Sequence, residues 1–316
     1  MADTYLGIEI GATKLQVVLG DAAGVIRQRV KGQVQRERGA AGIRAQIEEA
    51  VRMLRSDSAW RAVGVGFGGP IDWRTGRVAC SFQVGGWNDF DLARWLQDIC
   101  AAPVHIDNDS NVAAFAEAMT GAGRDSDPVF YTNSGSGVGG GLVARGRIYH
   151  GAVPGECEFG HVRLERNRPD GSPGATVQDR CCGWAVDAKI RDAINRGEDT
   201  VMREWVAGAG QPGGEARHLA AALRLGDAIA IRILEETAAD LAFGLSHVVH
   251  LFHPQSIVLG GGLSLVGEPW RDAVAAALPA CLMATFQPGP RVLLSALGED
   301  VVPVGALMLA ATVTDP

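Results

Sequence analysis

The chain has 316 residues, 47% hydrophobic and 21% charged, enough for two domains or one large one with a full apolar core. Its net charge of −7 argues against a nucleic-acid surface, which needs clustered Lys and Arg. No apolar run approaches the roughly 20 residues of a membrane span, so neither nucleic acid nor membrane is an expected partner.

The opening MADTYLGIEIG enters a strand pattern at once, so no signal peptide is expected. YLGIEIG, LQVVLGD and VIRQRV read as three short strands in hairpin order. A helix follows around 40–55, with Ile43, Ile47, Ala50, Val51 and Leu54 on one face. Next come the strand AVGVGF, a helix near 90–99, the strand PVHI and a helix over about 110–120. Met119 ends that helix's apolar face, and Gly121 is its expected C-cap.

The order then repeats. PVFYTN, VGGGLVARG and RIYHG read as strands, with SGSG as the first turn. After an irregular segment over 151–180, helices are expected near 183–196, 216–224 and 228–251. The strand SIVLGG, a helix near 270–278 and the strand RVLLS close the second half. Six scattered cysteines without C-x-x-C spacing read as reduced thiols of a cytoplasmic protein; Cys181 and Cys182 read as helix-start packing residues.

The repeated order points to duplicated α/β domains facing a central cleft. It resembles the actin-like ATPase (ribonuclease-H-like) fold. The expected domains are 1–120, completed by a C-terminal helix over 303–316, and 121–302.

HIDNDSN, residues 105–111, runs from an apolar strand straight into Asp107, Asn108 and Asp109. The run could be a helix N-cap, a solvated turn or a catalytic strand end. GVGFGG (64–69) and GSGVGG (135–140) both fit G-x-G-x-x-G, yet a dinucleotide site needs a helix directly after the loop. Pro70 follows the first and a strand follows the second. Glycine hairpins can nevertheless cradle phosphates through converging backbone N–H groups.

Six segments in order, IEIGATK, GVGFGGPID, IDNDSNVAAFAE, SGSGVGGGL, ECEFGH and IVLGGG, together resemble the ROK family of sugar kinases and sugar-responsive repressors. GALMLA (305–310) is similar to that family's closing helix. The resemblance implies that Gly11, Thr13, Gly135, Ser136 and Gly137 hold ATP phosphates, with Lys14 in the first hairpin, and that Gly260 and Gly261 lie near the adenosine. It implies that Asp109 is the catalytic base, with Asn108, Asp109, Glu158 and His161 on sugar hydroxyls and Gly69 in the sugar-side loop. A carboxylate in reach of a sugar hydroxyl can take its proton as the O–P bond forms. On that reading, an N-cap role is left to Ser110 or Asp107.

Three departures stand out. Glu9 replaces the family's Asp, keeping the charge to hold Mg²⁺ through water, and Ala12 replaces a Gly. Pro169, Gly171 and Thr176 fall on the family's zinc-binding cysteines, so no zinc site is expected there. Gln178 falls on a sugar-binding Glu and can still donate and accept hydrogen bonds. The expectation is a cytoplasmic, homodimeric hexose kinase using ATP and Mg²⁺, with glucose as first candidate and the 6-hydroxyl as acceptor. A catalytically impaired sugar-binding member, or a regulator lacking the DNA-binding domain, is the alternative.

Overall fold

A computed structural model describes residues 3–55, 59–81, 83–153, 155–208 and 213–312. Contacts divide the chain into two units. One comprises Met1–Asp125, Gly141–Cys157 and Ala296–Pro316; the other comprises Ser126–Gly140 and Glu158–Ser295.

The first unit is built on β1 (Tyr5–Ile10), β2 (Lys14–Gly20), β3 (Ile26–Gln33), α1 (Gly39–Arg55) and β4 (Val63–Phe67). A small sheet of β5 (Ile71–Asp72), β6 (Arg77–Val78) and β7 (Phe90–Asp91) precedes α2 (Leu92–Cys100), β8 (Val104–Asn108) and α3 (Asp109–Met119). The main sheet has the order β3-β2-β1-β4-β8, antiparallel through the hairpins and parallel from β1 to β8. On one face Ile8, Val65 and Ile106 pack in a core with Ile43, Ile47 and Leu96 from α1 and α2. Each such side chain contributes roughly 1.5–3 kcal/mol by leaving water.

The second unit holds β9 (Val129–Ser134) and the start of β10 (Val138–Ala144), which runs on into the first unit and pairs there with β11 (Arg147–Ile148). Then come α4 (Val177–Cys181), α5 (Gly183–Asn195), α6 (Met202–Ala207), α7 (Leu219–Arg224) and α8 (Ala228–Phe252). β12 (Ser256–Gly260), α9 (Glu268–Ala277) and β13 (Arg291–Leu294) complete it. The strand order β11-β10-β9-β12-β13 repeats that of the first sheet, parallel across β9, β12 and β13. This is the duplicated actin-like arrangement expected from the sequence.

The chain returns to the first unit with α10 (Val301–Thr312). Val301 to Ala310 are all buried, as a helix apolar all round must be. It lies so close to the sheet that a Cβ on Gly64 would fall 1.9 Å from the Ala306 carbonyl oxygen, which leaves glycine as the residue that fits. Positions 313–316 of the expected C-terminal helix lie outside the described residues.

Three details differ from the sequence reading. Asn108, not Ser110 or Asp107, is the N-cap of α3, and the helix starts at Asp109. Thr120 caps its other end, with Gly121 N–H donating to the Ala116 and Glu117 carbonyls. The helix expected over 216–224 is a 3₁₀ turn, Glu215–His218, followed by α7.

Candidate active site

In the first unit, strand β8 delivers Asn108 and Asp109 to the start of α3. The Asn108 Oδ1 accepts from the backbone N–H groups of Ser110 (2.8 Å) and Asn111 (3.4 Å), satisfying free donors of the first helical turn. Its Nδ2 donates to the Gly69 carbonyl at 3.2 Å. Asn108 is therefore already committed as a cap and tether, a role beyond the hydroxyl contact expected from the sequence; the second N–H of its amide is still a donor.

Asp109 is half-buried, and its Oδ1 accepts from the Ser110 hydroxyl at 3.2 Å. Its Oδ2 lies 3.1 Å from where a Cβ on Gly68 would stand. The same point is 3.3 Å from the Ile10 carbonyl and 3.4 Å from the Gly11 Cα, so the missing side chain of Gly68 is what lets the first hairpin turn and the Asp109 carboxylate approach each other. A backbone bond from Gly68 N–H to the Ile10 carbonyl (2.8 Å) fixes that meeting.

The turn itself is closed by Gly11 N–H donating to the Lys14 carbonyl at 2.9 Å. Thr13 and Lys14 are exposed, and the Lys14 ammonium is paired with Glu299 at 2.9 Å. Glu9 accepts from Gln16 Nε2 at 2.7 Å, and Gln16 in turn accepts from Arg29, which is paired with Asp300 at 2.6 Å. Burial raises the Glu9 pKa above the ordinary carboxylate value, opposed by the Gln16 hydrogen bond and Lys14. A half-buried carboxylate at the end of the strand leading into the exposed turn fits a hydrated Mg²⁺ carried in with nucleotide phosphates.

In the second unit, the β9–β10 hairpin carries Gly135, exposed Ser136 and Gly137. Its tip is held to the start of α5, where Gly183 N–H donates to the Gly135 carbonyl at 2.7 Å. A Cβ on Gly135 would meet nothing within 4 Å, so the space beside the tip is open to a ligand. At the end of β12, Gly260 and Gly261 pack so closely on Tyr131 and Ser134 that added Cβ atoms would stand 2.2 Å and 2.6 Å from them. These glycines are required by packing as well as available to an adenosine.

Glu158 and His161 frame a 3₁₀ turn, with His161 N–H on the Glu158 carbonyl at 2.9 Å. Buried Phe159 anchors the turn edge-on against Phe130 at 5.5 Å. His161 and Gln178 line one cavity of about 590 Å³, together with Arg163, Arg168, Thr176 and Arg180. Gln178 Oε1 accepts from Val138 N–H at 3.1 Å, which couples the cavity wall to the Gly-rich hairpin.

The segment where the family pattern has a zinc cluster is ordered by other means. Backbone bonds join Leu164 to Ala175 and Val177 to Val162, both at 2.9 Å, and Arg163 donates to the Gly174 carbonyl. Thr176 and Asp179 form a reciprocal capping box at the start of α4. Pro169, Gly171 and Thr176 offer no thiolate, and Cys181 and Cys182 are buried with thiol pKa values raised by desolvation, so these residues do not fit the family's zinc. Arg163 and Arg168 had no place in the sequence reading; the turn-rich RPDGSPG that folds them onto the cavity was the available signal.

The ROK family model matches residues 5–313. A glucokinase of Thermotoga maritima is 28% identical over 308 residues, 95% of each chain. A crystal structure of a ROK family glucokinase from Streptomyces griseus, in complex with glucose and AMPPNP, matches with a TM-score of 0.84 and 28% identity over 98% of this chain and 99% of that one. A ROK transcriptional regulator, a homologue of the E. coli MLC protein, matches with a TM-score of 0.85 at 18% identity over 98% of this chain and 78% of that one, a likeness of fold alone. With the ordered motifs, the duplicated sheets and a family match from Tyr5 to Val313, the chain belongs to the ROK family.

Proposed function

We propose that the chain is an ATP-dependent sugar kinase whose acceptor is a hexose, with the 6-hydroxyl of glucose the first candidate. The observation that carries this reading is the approach of the Asp109 carboxylate to the first hairpin turn across Gly68. A proton acceptor beside a phosphate-binding turn is what transfer to an alcohol requires. Whole-length similarity to glucokinases supports the same conclusion.

In the proposed reaction, Asp109 takes the proton of the sugar hydroxyl as that oxygen bonds to the γ-phosphorus of ATP. The bond from that phosphorus to the β–γ bridging oxygen breaks, and ADP leaves with the electron pair. Asn108, Gly69, Glu158, His161 and Gln178 orient the sugar. The turns at Gly11–Lys14 and Gly135–Gly137, with Gly260 and Gly261, hold the nucleotide. Glu9 would hold, through water, the Mg²⁺ bound with ATP, and that ion would supply neutralisation of the phosphate charge. Phosphorylation assays over a panel of hexoses and hexosamines test the proposal. ADP release dependent on one of these sugars supports it, and a chain that binds sugar without ATP turnover contradicts it.

A further inference from the structure

We propose that Asp107, His150, Glu156 and Asn111 form a binding site for one divalent first-row metal ion such as Mn²⁺, Co²⁺ or Zn²⁺. Asp107 is the penultimate residue of β8, Asn111 lies in the first turn of α3, and His150 and Glu156 follow β11; all belong to the first unit. One ligand atom from each of Asp107, His150 and Glu156 lies within 4.8 Å of the other two. His150 Nε2 stands 2.7 Å from Asp107 Oδ2, and the His150 ring is held by stacking on Trp73 at 4.0 Å.

Charge makes the case for a cation. Asp107 is 1% exposed, and Glu156 is half-buried beside it, both meeting the same Asn111 amide. No Lys or Arg among the described residues pairs with either carboxylate. Beyond the His150 imidazole on Asp107, no cationic side chain among the described residues offsets two carboxylates so placed, and withdrawing carboxylate charge from water is costly. The His105 ring is engaged elsewhere, its Nδ1 facing the Thr312 hydroxyl at 3.2 Å.

Asn111 is the independent sign of a ligand. It is 1% exposed, its Nδ2 sits 2.9 Å from Asp107 Oδ1 and 2.6 Å from Glu156 Oε1, and its Oδ1 is buried without a hydrogen-bond partner. A half-turn of the amide brings that oxygen toward the carboxylates, where it can ligate a cation held between them. The set then offers one imidazole nitrogen and three oxygens, a donor mix suited to first-row ions rather than to a thiolate site. Because Asp107 directly precedes Asn108 and Asp109, an ion here would also stiffen the start of α3.

The test titrates the metal-stripped full-length protein with Co²⁺ in the absence of nucleotide, following visible d–d absorption and calorimetry. One equivalent per chain should bind without a thiolate-to-cobalt charge-transfer band, and Cys157→Ser should keep it. Glu156→Gln and His150→Gln should each weaken binding by about tenfold or more, with circular dichroism reporting the fold. Should one variant fail to fold, the other and the wild-type spectrum decide. No binding at micromolar Co²⁺, a thiolate band in the wild type, or unchanged affinity in a folded variant of either residue overturns the proposal.

Discussion

Asn108 donates from Nδ2 to the Gly69 carbonyl at 3.2 Å while its Oδ1 caps α3, so one side chain joins the loop after β4 to the helix that begins at Asp109. Asn108→Ala should lose about 1 kcal/mol of stability as the cap disappears. Asn108→Ser should restore most of it, because Ser caps comparably, while still raising KM for the sugar, because it cannot reach Gly69. Urea unfolding and steady-state kinetics on the three proteins check this; equal KM for wild type and the Ser variant would remove Asn108 from the sugar site.

How far the sequence reached is clear at this same place. The strand end at Asp107–Asp109 was legible, because apolar β8 residues give way abruptly to acids. The identity of the cap was not, since Asp, Asn and Ser cap almost equally and the choice depends on the backbone angles of one residue. The sheet of β5, β6 and β7 escaped notice because two-residue strands carry no alternation to read. The Asp107–His150–Glu156 group escaped because only the fold brings positions more than 40 residues apart together.

Glu9 sets a pH dependence. Burial raises its folded-state pKa above the ordinary 4.5, so the folded chain holds that proton more tightly than the unfolded one. The associated stability is complete below the unfolded value and is lost as pH rises through the folded value. Glu9→Gln should therefore be more thermostable than the wild type near neutral pH, with the difference shrinking toward pH 4.5, and should need more Mg²⁺ for activity. Melting temperatures across this range provide the check, and a gap that widens on acidification would contradict it.

The segment over 162–178 should depend on its capping box. Thr176→Ala removes the hydroxyl that accepts from Asp179 N–H at 3.2 Å, a loss of about 1 kcal/mol. Because Gln178 follows in the same short helix and lines the cavity with His161, KM for the sugar should rise more than kcat falls. A lowered kcat at unchanged KM would count against sugar binding at that cavity.

Thiol chemistry should sort the six cysteines by burial. The Cys100 thiol is pushed up to about 12 by desolvation, and Cys181 and Cys182 are raised for the same reason. Alkylation of the native protein should modify half-buried Cys80, Cys157 and Cys281 first and reach the other three only after unfolding. Peptide mass mapping reads the order directly, and early modification of Cys181 would contradict its packing against α8.

Asp109 carries the central claim, and Asp109→Asn tests it most directly. The amide keeps the size of the side chain and can still accept from Ser110, so folding and the binding of sugar and ATP should persist. Loss of a general base typically lowers turnover by about 10²–10⁴-fold. The decisive measurement is kcat for ATP-dependent phosphorylation of the best sugar, wild type against Asp109→Asn, alongside calorimetric affinities for both ligands. The account predicts a fall in kcat of at least about a hundredfold with affinities nearly unchanged; near-normal turnover in the Asn variant would contradict it.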